Sequence, residues 1–243
     1  MNVSAPLYVL KRRAKAHARE HGLPLHAGLD HIAKAEGYRA WSHLAQAESI
    51  TRPAPRVLSQ LENGDCVLLG ARPGQGKTLL GLELLVEAAL KGRDAWFFSL
   101  ECTLADVLVR LRQLGVEPSA LHDRLHVDCS DAIYAVYVQS QVSRAAAGSV
   151  VVIDYLQILD QRRDHPALDV QLNNLSAFAQ QRRLIVLTHA QIDRHYDAGV
   201  DTVPGLQHVR LPNPVNLQVF SKACFVQDGV VRFATRPKAF SNA

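Results

Sequence analysis

The stretch that decides the fold reads Asp65-Cys66-Val67-Leu68-Leu69-Gly70-Ala71-Arg72-Pro73-Gly74-Gln75-Gly76-Lys77-Thr78-Leu79-Leu80. Its apolar start predicts a buried strand over 65–70, its glycines predict a turn, and a helix is expected to open at Lys77. Small residues at Ala71, Gly74 and Gly76 let backbone N–H groups approach phosphate oxygens, and the helix N-terminus adds unpaired donors. The stretch therefore predicts a phosphate-binding loop, in which Ala71 replaces the first glycine of the strict pattern.

Two side chains of this loop have the chemistry that a nucleoside triphosphate needs. Lys77 can reach the terminal phosphates, and the hydroxyl of Thr78 can bind Mg²⁺. The alternative is a solvated glycine turn with no ligand. The loop residues expected to hold ATP are Ala71, Arg72, Pro73, Gly74, Gln75, Gly76, Lys77 and Thr78.

The composition is that of a globular protein with an ordinary core. The 243 residues are 48% hydrophobic, which predicts one domain of moderate size with a small appendage. The 27 Lys and Arg against 23 Asp and Glu give a net charge of +4, which permits an anionic partner without requiring one. The four cysteines have no metal-ligand spacing, which favours reduced thiols in a cytosolic protein. Neither a signal peptide nor a membrane span is predicted, so the expected location is cytoplasmic.

Residues 1–47 predict a small helical module. A first helix over 6–20 would bury its apolar face, and Gly37 ends a second helix that starts near Leu25. Lys11, Lys15 and Arg19 form a stripe at i, i+4 spacing on the first helix. Two interpretations remain open for this stripe, namely a surface for nucleic acid or an acidic protein partner and a merely solvated helix face.

Residues 48–60, with two prolines in a polar setting, predict a linker. From residue 61 to 243 the pattern changes to apolar strands that alternate with helices. Strands are predicted over 65–70, 95–100, 125–128, 149–154 and 184–188, with helices over 77–90, 105–114, 131–146 and 170–182, and a closing hairpin over 223–234. Continuous apolar strands separated by helices indicate an α/β fold with a mainly parallel sheet covered on both faces.

Three polar residues follow the ends of predicted strands, where ligands collect in open α/β sheets. Asp154 ends a run of β-branched residues and could hold Mg²⁺, unless it only caps a helix or forms a salt bridge. Glu101 could orient or deprotonate the water that attacks the γ-phosphate, or be a solvated strand-end carboxylate. Gln191 could sense the γ-phosphate, or be an ordinary polar loop residue. His189 is interpreted as structural.

Four runs in this order resemble the RecA-like motor domain of bacterial replicative helicases of the DnaB type. They are 71–78, the Phe-Ser-Leu-Glu run that ends at Glu101, the Val-Ile-Asp-Tyr-Leu-Gln run around Asp154, and the Ala-Gln-Ile-Asp-Arg run that begins at 190. The resemblance covers about residues 58–238. It implies a RecA-like ATPase fold, with Lys77 and Thr78 on nucleotide and metal, Glu101 as the catalytic carboxylate, Asp154 on Mg²⁺ and Gln191 as the switch residue.

The sequence departs from the helicase pattern in two places. His208 stands where the family has the acid of an Asp-Leu-Arg segment, and the helical N-terminal part is smaller than the family's collar. The family also completes its site with a basic finger from a neighbouring subunit, for which Arg236 and Lys238 are the candidates here. The resemblance implies a homo-oligomeric ring, a hexamer, because sites completed in this way close head to tail.

Single-stranded DNA would contact two loops on the family's central channel. Arg162 and Arg163 lie in the first loop, and Arg194 and Tyr196 in the second. A groove for single strands combines positive charge with aromatic platforms, and these residues provide both. The alternative is a pair of flexible solvated loops.

We interpret the sequence as an ATP-hydrolysing RecA-like motor that acts on single-stranded DNA. A first alternative is an ATP-switched regulatory or assembly module, similar to KaiC-like or RadA-like proteins, whose residues 1–47 bind a protein partner. Low turnover without a response to DNA would favour it. A small-molecule phosphotransferase is disfavoured because no arginine-rich lid is visible. A purely structural protein is disfavoured because four positions suited to phosphate chemistry lie at strand ends.

Overall fold

A seven-stranded sheet organises the computed structural model, which describes residues 3–5, 7–51, 53–121, 123–160, 165–193, 196, 204–211, 215–227 and 230–234. The strands run in the order β3-β2-β4-β5-β1-β6-β7. Every pairing is parallel except that of β6 with β7. The strand bounds are β1 Cys66–Ala71, β2 Ala95–Ser99, β3 Leu125–Asp128, β4 Val150–Asp154, β5 Ile185–Gln191, β6 Lys222–Gln227 and β7 Val230–Phe233.

Helices cover both faces of this sheet. Their bounds are α1 Leu7–Glu20, α2 Leu25–Ala35, α3 Trp41–Thr51, α4 Ala54–Ser59, α5 Lys77–Leu90, α6 Leu104–Gln113, α7 Ala135–Gln141 and α8 Leu168–Arg182. One core cluster joins α4, α5 and α6 to one face, and a second joins α7 and α8 to the other. The central strands are buried on both sides, which explains their continuous apolar sequence. The predicted α/β fold with a mainly parallel sheet is confirmed.

Helix α7 is shorter than the helix predicted over 131–146. The Asp128 carboxylate accepts hydrogen bonds from the Ser130 N–H at 2.8 Å and from the Tyr137 hydroxyl at 2.6 Å. These bonds hold a turn, so the helix begins only at Ala135, whose N–H donates to Gln171 Oε1 at 3.0 Å. Side-chain bonds to the backbone thus delay a helix that the sequence pattern starts at 131.

The predicted linker over 48–60 is mostly helical in the structure. Helix α3 runs on to Thr51, and α4 places Ala54, Val57 and Leu58 in the core beside α5. Pro53 caps α4 and Pro55 lies in its first turn, where a missing N–H breaks no helical hydrogen bond. Residues 54–59 therefore pack as part of the sheet-bearing unit.

The N-terminal helices α1 to α3 have a small core of their own. Leu10, Ala33 and Leu44 are fully buried in it, with the rings of Tyr38 and Trp41 packed against them. Helices α1 and α2 approach closely at Gly28, where a Cβ atom would lie 2.6 Å from the backbone oxygen of Ala14. Across the described ranges, no helix is long and apolar enough to cross a membrane.

Candidate functional site

The carboxyl ends of β1, β2 and β5 line one open cleft of about 360 Å³, and β4 lies between β2 and β5 in the sheet. The loop after β1 forms its floor, because β1 lies between β5 and β6 near the middle of the sheet. Parallel strands present their carboxyl ends at the same edge, so distant parts of the sequence converge there. The lining residues are Ala71, Arg72, Pro73, Gly74, Gly76, Lys77, Thr78, Leu79, Glu101, Arg110 and Gln191.

Glycines shape the loop between β1 and α5. Gly74 and Gly76 have φ values of +79° and +83°, in the left-handed region that favours glycine. A Cβ at either position would meet no atom within 4 Å, so backbone conformation rather than crowding requires glycine here. Gly76 is also the N-cap of α5 and has no side chain to bond the first-turn N–H groups. The loop therefore offers backbone donors and a helix N-terminus to an anion.

Lys77, Thr78 and Asp154 meet directly at the base of the cleft. Lys77 Nζ lies 2.9 Å from Asp154 Oδ1, and the Thr78 hydroxyl donates to Asp154 Oδ2 at 2.7 Å. Asp154 is fully buried, which alone would raise its pKa, but the charges and hydrogen bonds around it, Lys77 among them, hold the pKa of Asp154 well below its usual range. A carboxylate, a hydroxyl and an ammonium group are thus fixed together at the strand ends.

His189, on β5, is a buried neighbour of Asp154. Its ring is fully buried, and Nδ1 is 3.0 Å from Asp154 Oδ1. The angles fall outside hydrogen-bond geometry, and neither ring nitrogen has another hydrogen bond among the described residues. Burial lowers the pKa of His189 although Asp154 opposes this, so the ring is neutral at neutral pH. On its other side the ring packs against α5 at Gly81, where a Cβ would lie 2.5 Å from Cε1.

Glu101 and Gln191 both line the cleft. Glu101 Oε2 is 4.0 Å from Lys77 Nζ, and its side chain is 41% exposed. Burial of the remainder raises the pKa of Glu101, although Lys77 opposes the shift, and a raised pKa makes a carboxylate a stronger base. Gln191 is the last residue of β5, paired in register with Ala71, and its backbone oxygen accepts from the Arg210 N–H at 2.8 Å.

Arg110 also lines the cleft, and the sequence patterns did not single it out. It lies on α6, and its guanidinium donates to Cys102 Sγ at 3.2 Å. A capping box between Thr103 and Asp106 fixes the start of α6. The sequence predicts that helix but not the direction in which it leaves β2, and that direction brings Arg110 to the cleft.

The predicted DNA-contacting residues are described only in part. Arg162, Arg163 and Arg194 lie outside the described residues, as do the predicted finger residues Arg236 and Lys238.

Tyr196, predicted as a stacking platform for a base, is instead 5% exposed. Its hydroxyl donates to Gln227 Oε1 at 3.2 Å, and its ring centroid lies 4.8 Å from that of His208. The sequence pattern indicates an aromatic ring in a loop, but packing against β6 and the 206–208 turn buries it. That prediction is wrong, because a buried ring offers no face to a base.

Solved structures with this fold include an ATPase domain and a helicase. The chain resembles a structure described as an ATPase domain, at 17% identity and a TM-score of 0.57, over 68% of this chain and 70% of that one. It resembles a DnaB-like replicative helicase solved with its interactions with primase, at 16% identity and a TM-score of 0.60. That match covers 91% of this chain and 66% of the other.

A third similar structure is a KaiC-like protein from the archaeon Pyrococcus horikoshii. The identity is 15% and the TM-score 0.52, over 67% of this chain and 71% of the other. No model of a known protein family matches the sequence. At such identities the likeness establishes the fold alone, which is that of RecA-like ATPase domains, and it confirms at this level the resemblance to DnaB-type helicases.

Proposed function

We propose that this protein binds and hydrolyses ATP in the cleft after β1, and that it does so as a motor on single-stranded DNA. The observation that carries the proposal is the meeting of Lys77, Thr78 and Asp154 within hydrogen-bond distance, beside a loop of positive-φ glycines. Residues 76 positions apart in sequence converge there in the arrangement that triphosphate binding requires.

The residues present fit a magnesium ion. Mg²⁺ prefers hard oxygen ligands, and the Thr78 hydroxyl and the Asp154 carboxylate place two oxygens 2.7 Å apart at the cleft. The low pKa of Asp154 keeps that carboxylate ionised at neutral pH. When bound, Mg²⁺ neutralises charge on the phosphate oxygens. Lys77, which pairs with Asp154 in this structure, has the length and charge to turn to those oxygens instead.

The proposed chemistry assigns different roles to the other two polar residues. Glu101, half-exposed and with a raised pKa, orients the attacking water and accepts its proton. Gln191 contacts the γ-phosphate, and its backbone bond to Arg210 passes the loss of that phosphate to the following segment.

The motor part of the proposal extends the likeness to the helicase structure. We propose a ring-shaped homo-oligomer, a hexamer, in the cytoplasm, with Arg236 and Lys238 completing a neighbour's site. Arg162, Arg163 and Arg194 would contact single-stranded DNA in the channel.

The test is steady-state ATP hydrolysis with and without single-stranded DNA. We expect that DNA stimulates turnover, and that Lys77→Ala abolishes turnover because the phosphates lose their main cation. Arg112→Ala, an exposed cation outside the cleft, is the matched control and should behave as wild type.

The likeness to a KaiC-like structure supports a second candidate, an ATP-switched assembly module with a protein partner. Tight ATP binding with slow hydrolysis and no response to DNA would contradict the motor and favour this module. Size-exclusion chromatography with light scattering, with and without ATP, would then show whether nucleotide drives assembly.

A further inference from the structure

The positive charge of this chain is concentrated in its first 47 residues. They contain 7 Lys and Arg against 3 Asp and Glu, a net charge of +4, while residues 48–243 contain 20 of each. The net positive charge of the whole protein therefore comes from the N-terminal helical unit. Helix α1 alone has five cations and one acid, Glu20, in 14 residues. A charge imbalance confined to one helix indicates an anionic ligand of that helix.

Three regularly spaced cations on α1 face solvent. Lys11, Lys15 and Arg19, which we call the basic stripe, are exposed and follow one another at four-residue intervals. An adjacent face of the helix is buried, with Leu10 and Ala14 at 0% exposure. None of the ion pairs found among the described residues involves the basic stripe. The stripe is thus a straight row of uncompensated charges, about 12 Å long at 1.5 Å per residue.

The basic stripe lacks the features of a protein interface and of a single-strand groove. A protein interface has an apolar centre depleted in charge, whereas the exposed apolar residues Leu23 and Leu25 lie beyond the end of α1. A single-strand groove needs aromatic platforms, whereas the described Tyr and Trp rings of this unit pack against its core, and the His17 ring of α1 is already stacked on His31 at 4.0 Å. A rigid row of cations without either feature fits a regular array of phosphates.

We propose that the basic stripe of α1 binds the phosphate backbone of double-stranded DNA without reading its sequence. Duplex DNA presents about one phosphate per 1.7 Å of its axis, so a rod of about 12 Å can face several phosphates at once. This function is separate from ATP hydrolysis, because the N-terminal unit would bind duplex DNA while the cleft binds ATP.

The test is fluorescence anisotropy of a labelled duplex of about 20 base pairs, enough for several phosphate contacts, without nucleotide, over a range of salt concentrations. The variant is Lys11→Gln/Lys15→Gln/Arg19→Gln. The matched control is Arg56→Gln/Arg112→Gln/Arg144→Gln, which removes the same charge from exposed positions outside the N-terminal unit. Glutamine has nearly the helix propensity of Lys and Arg, so the far-UV circular dichroism of both variants should match the wild type.

The stripe variant is expected to bind the duplex at least about 10-fold more weakly near 0.1 M salt. The magnitude of the slope of log K against log salt should fall by about 2.7, because three phosphate contacts are lost and each contributes about 0.9. The control should keep the wild-type slope. Hydrolysis of ATP without DNA should be the same in all three proteins, and binding is measured without nucleotide, so failure here is distinct from failure of the ATPase.

Several outcomes would overturn the proposal. Equal losses in the stripe variant and the control would show that only total charge matters. An unchanged affinity would show that the stripe is a solvated face. A loss as large or larger for the matched single strand would exclude the duplex as the ligand. A loss confined to a polyglutamate probe would assign the stripe to an acidic protein partner.

Discussion

Replacing Gly81 by alanine tests the packing that holds the acidic centre of the cleft. The added Cβ would lie 2.5 Å from Cε1 and 2.6 Å from Nε2 of His189, where ordinary contacts begin near 3.4 Å. The ring is fully buried and its Nδ1 lies 3.0 Å from Asp154 Oδ1, so a shift of the ring would disturb that contact. Overpacking of this kind destabilises by roughly 1–3 kcal/mol. The better helix propensity of alanine returns about 1 kcal/mol.

The expected result for Gly81→Ala is a net loss of up to about 2 kcal/mol, the difference between those two effects. For a chain of this size each kcal/mol lowers the unfolding midpoint by about 2–4 °C, which thermal circular dichroism measures.

The control is a double-mutant cycle with His189→Ala. Without the ring, the next nearest atom to the new methyl group is Val152 Cγ1 at 3.2 Å, a contact tight by only a few tenths of an ångström. The helix-propensity effect should then dominate, so Gly81→Ala should stabilise the His189→Ala protein slightly. The sign of one substitution would thus reverse between two backgrounds. The same destabilisation in both backgrounds would refute the assignment of Gly81 to the His189 ring.

Three further predictions concern the cleft and its supports. Arg110→Met should raise the KM for ATP several-fold with a smaller effect on kcat, because the substitution removes a cation from the lining of the cleft. Arg112→Met, the control, should leave both KM and kcat unchanged. An unchanged KM for Arg110→Met would exclude Arg110 from nucleotide binding. Burial would raise the pKa of Asp65, but hydrogen bonds from Lys222 and its neighbours lower that pKa below its usual value. The Asp65 carboxylate therefore stabilises the fold at pH values above its unfolded pKa of about 4. This stabilisation is lost as the pH falls through the pKa of the folded state. The stability gap between wild type and Asp65→Asn, measured by thermal unfolding, should therefore shrink from pH 6 to about pH 3, and a gap that grows would contradict the pairing. Thr103→Ala should destabilise by about 1 kcal/mol in the same assay, because α6 loses its capping box, and no loss would mean that the cap is not formed in solution.

The sequence was sufficient for the central residues of the site because local patterns define them. Lys77 and Thr78 belong to a contiguous loop, and Asp154 follows an unbroken β-branched run. A topological rule then brings these separate runs to one edge of the sheet. The rule needs no side-chain detail, and the structure places all three in direct contact.

What the sequence did not predict depends on how elements pack. The close approach of Gly81 to His189 requires the distance between α5 and β5, which no local pattern encodes. Arg110 reaches the cleft only because of the direction of α6. The polar setting of 48–60 indicated a linker, but Val57 and Leu58 gain enough by burial against α5 to fold the segment as a helix.

ATP binding and ATP hydrolysis, measured side by side in the Glu101→Gln protein, separate the nucleotide site from its chemistry. The amide keeps the shape of the side chain but cannot accept a proton, so we expect wild-type affinity for ATP and turnover reduced by about 100-fold or more. The Lys77→Ala protein, measured in the same assays, should lose ATP binding. Wild-type turnover in Glu101→Gln would contradict the role of Glu101, and unchanged ATP binding in Lys77→Ala would contradict the cleft as the nucleotide site.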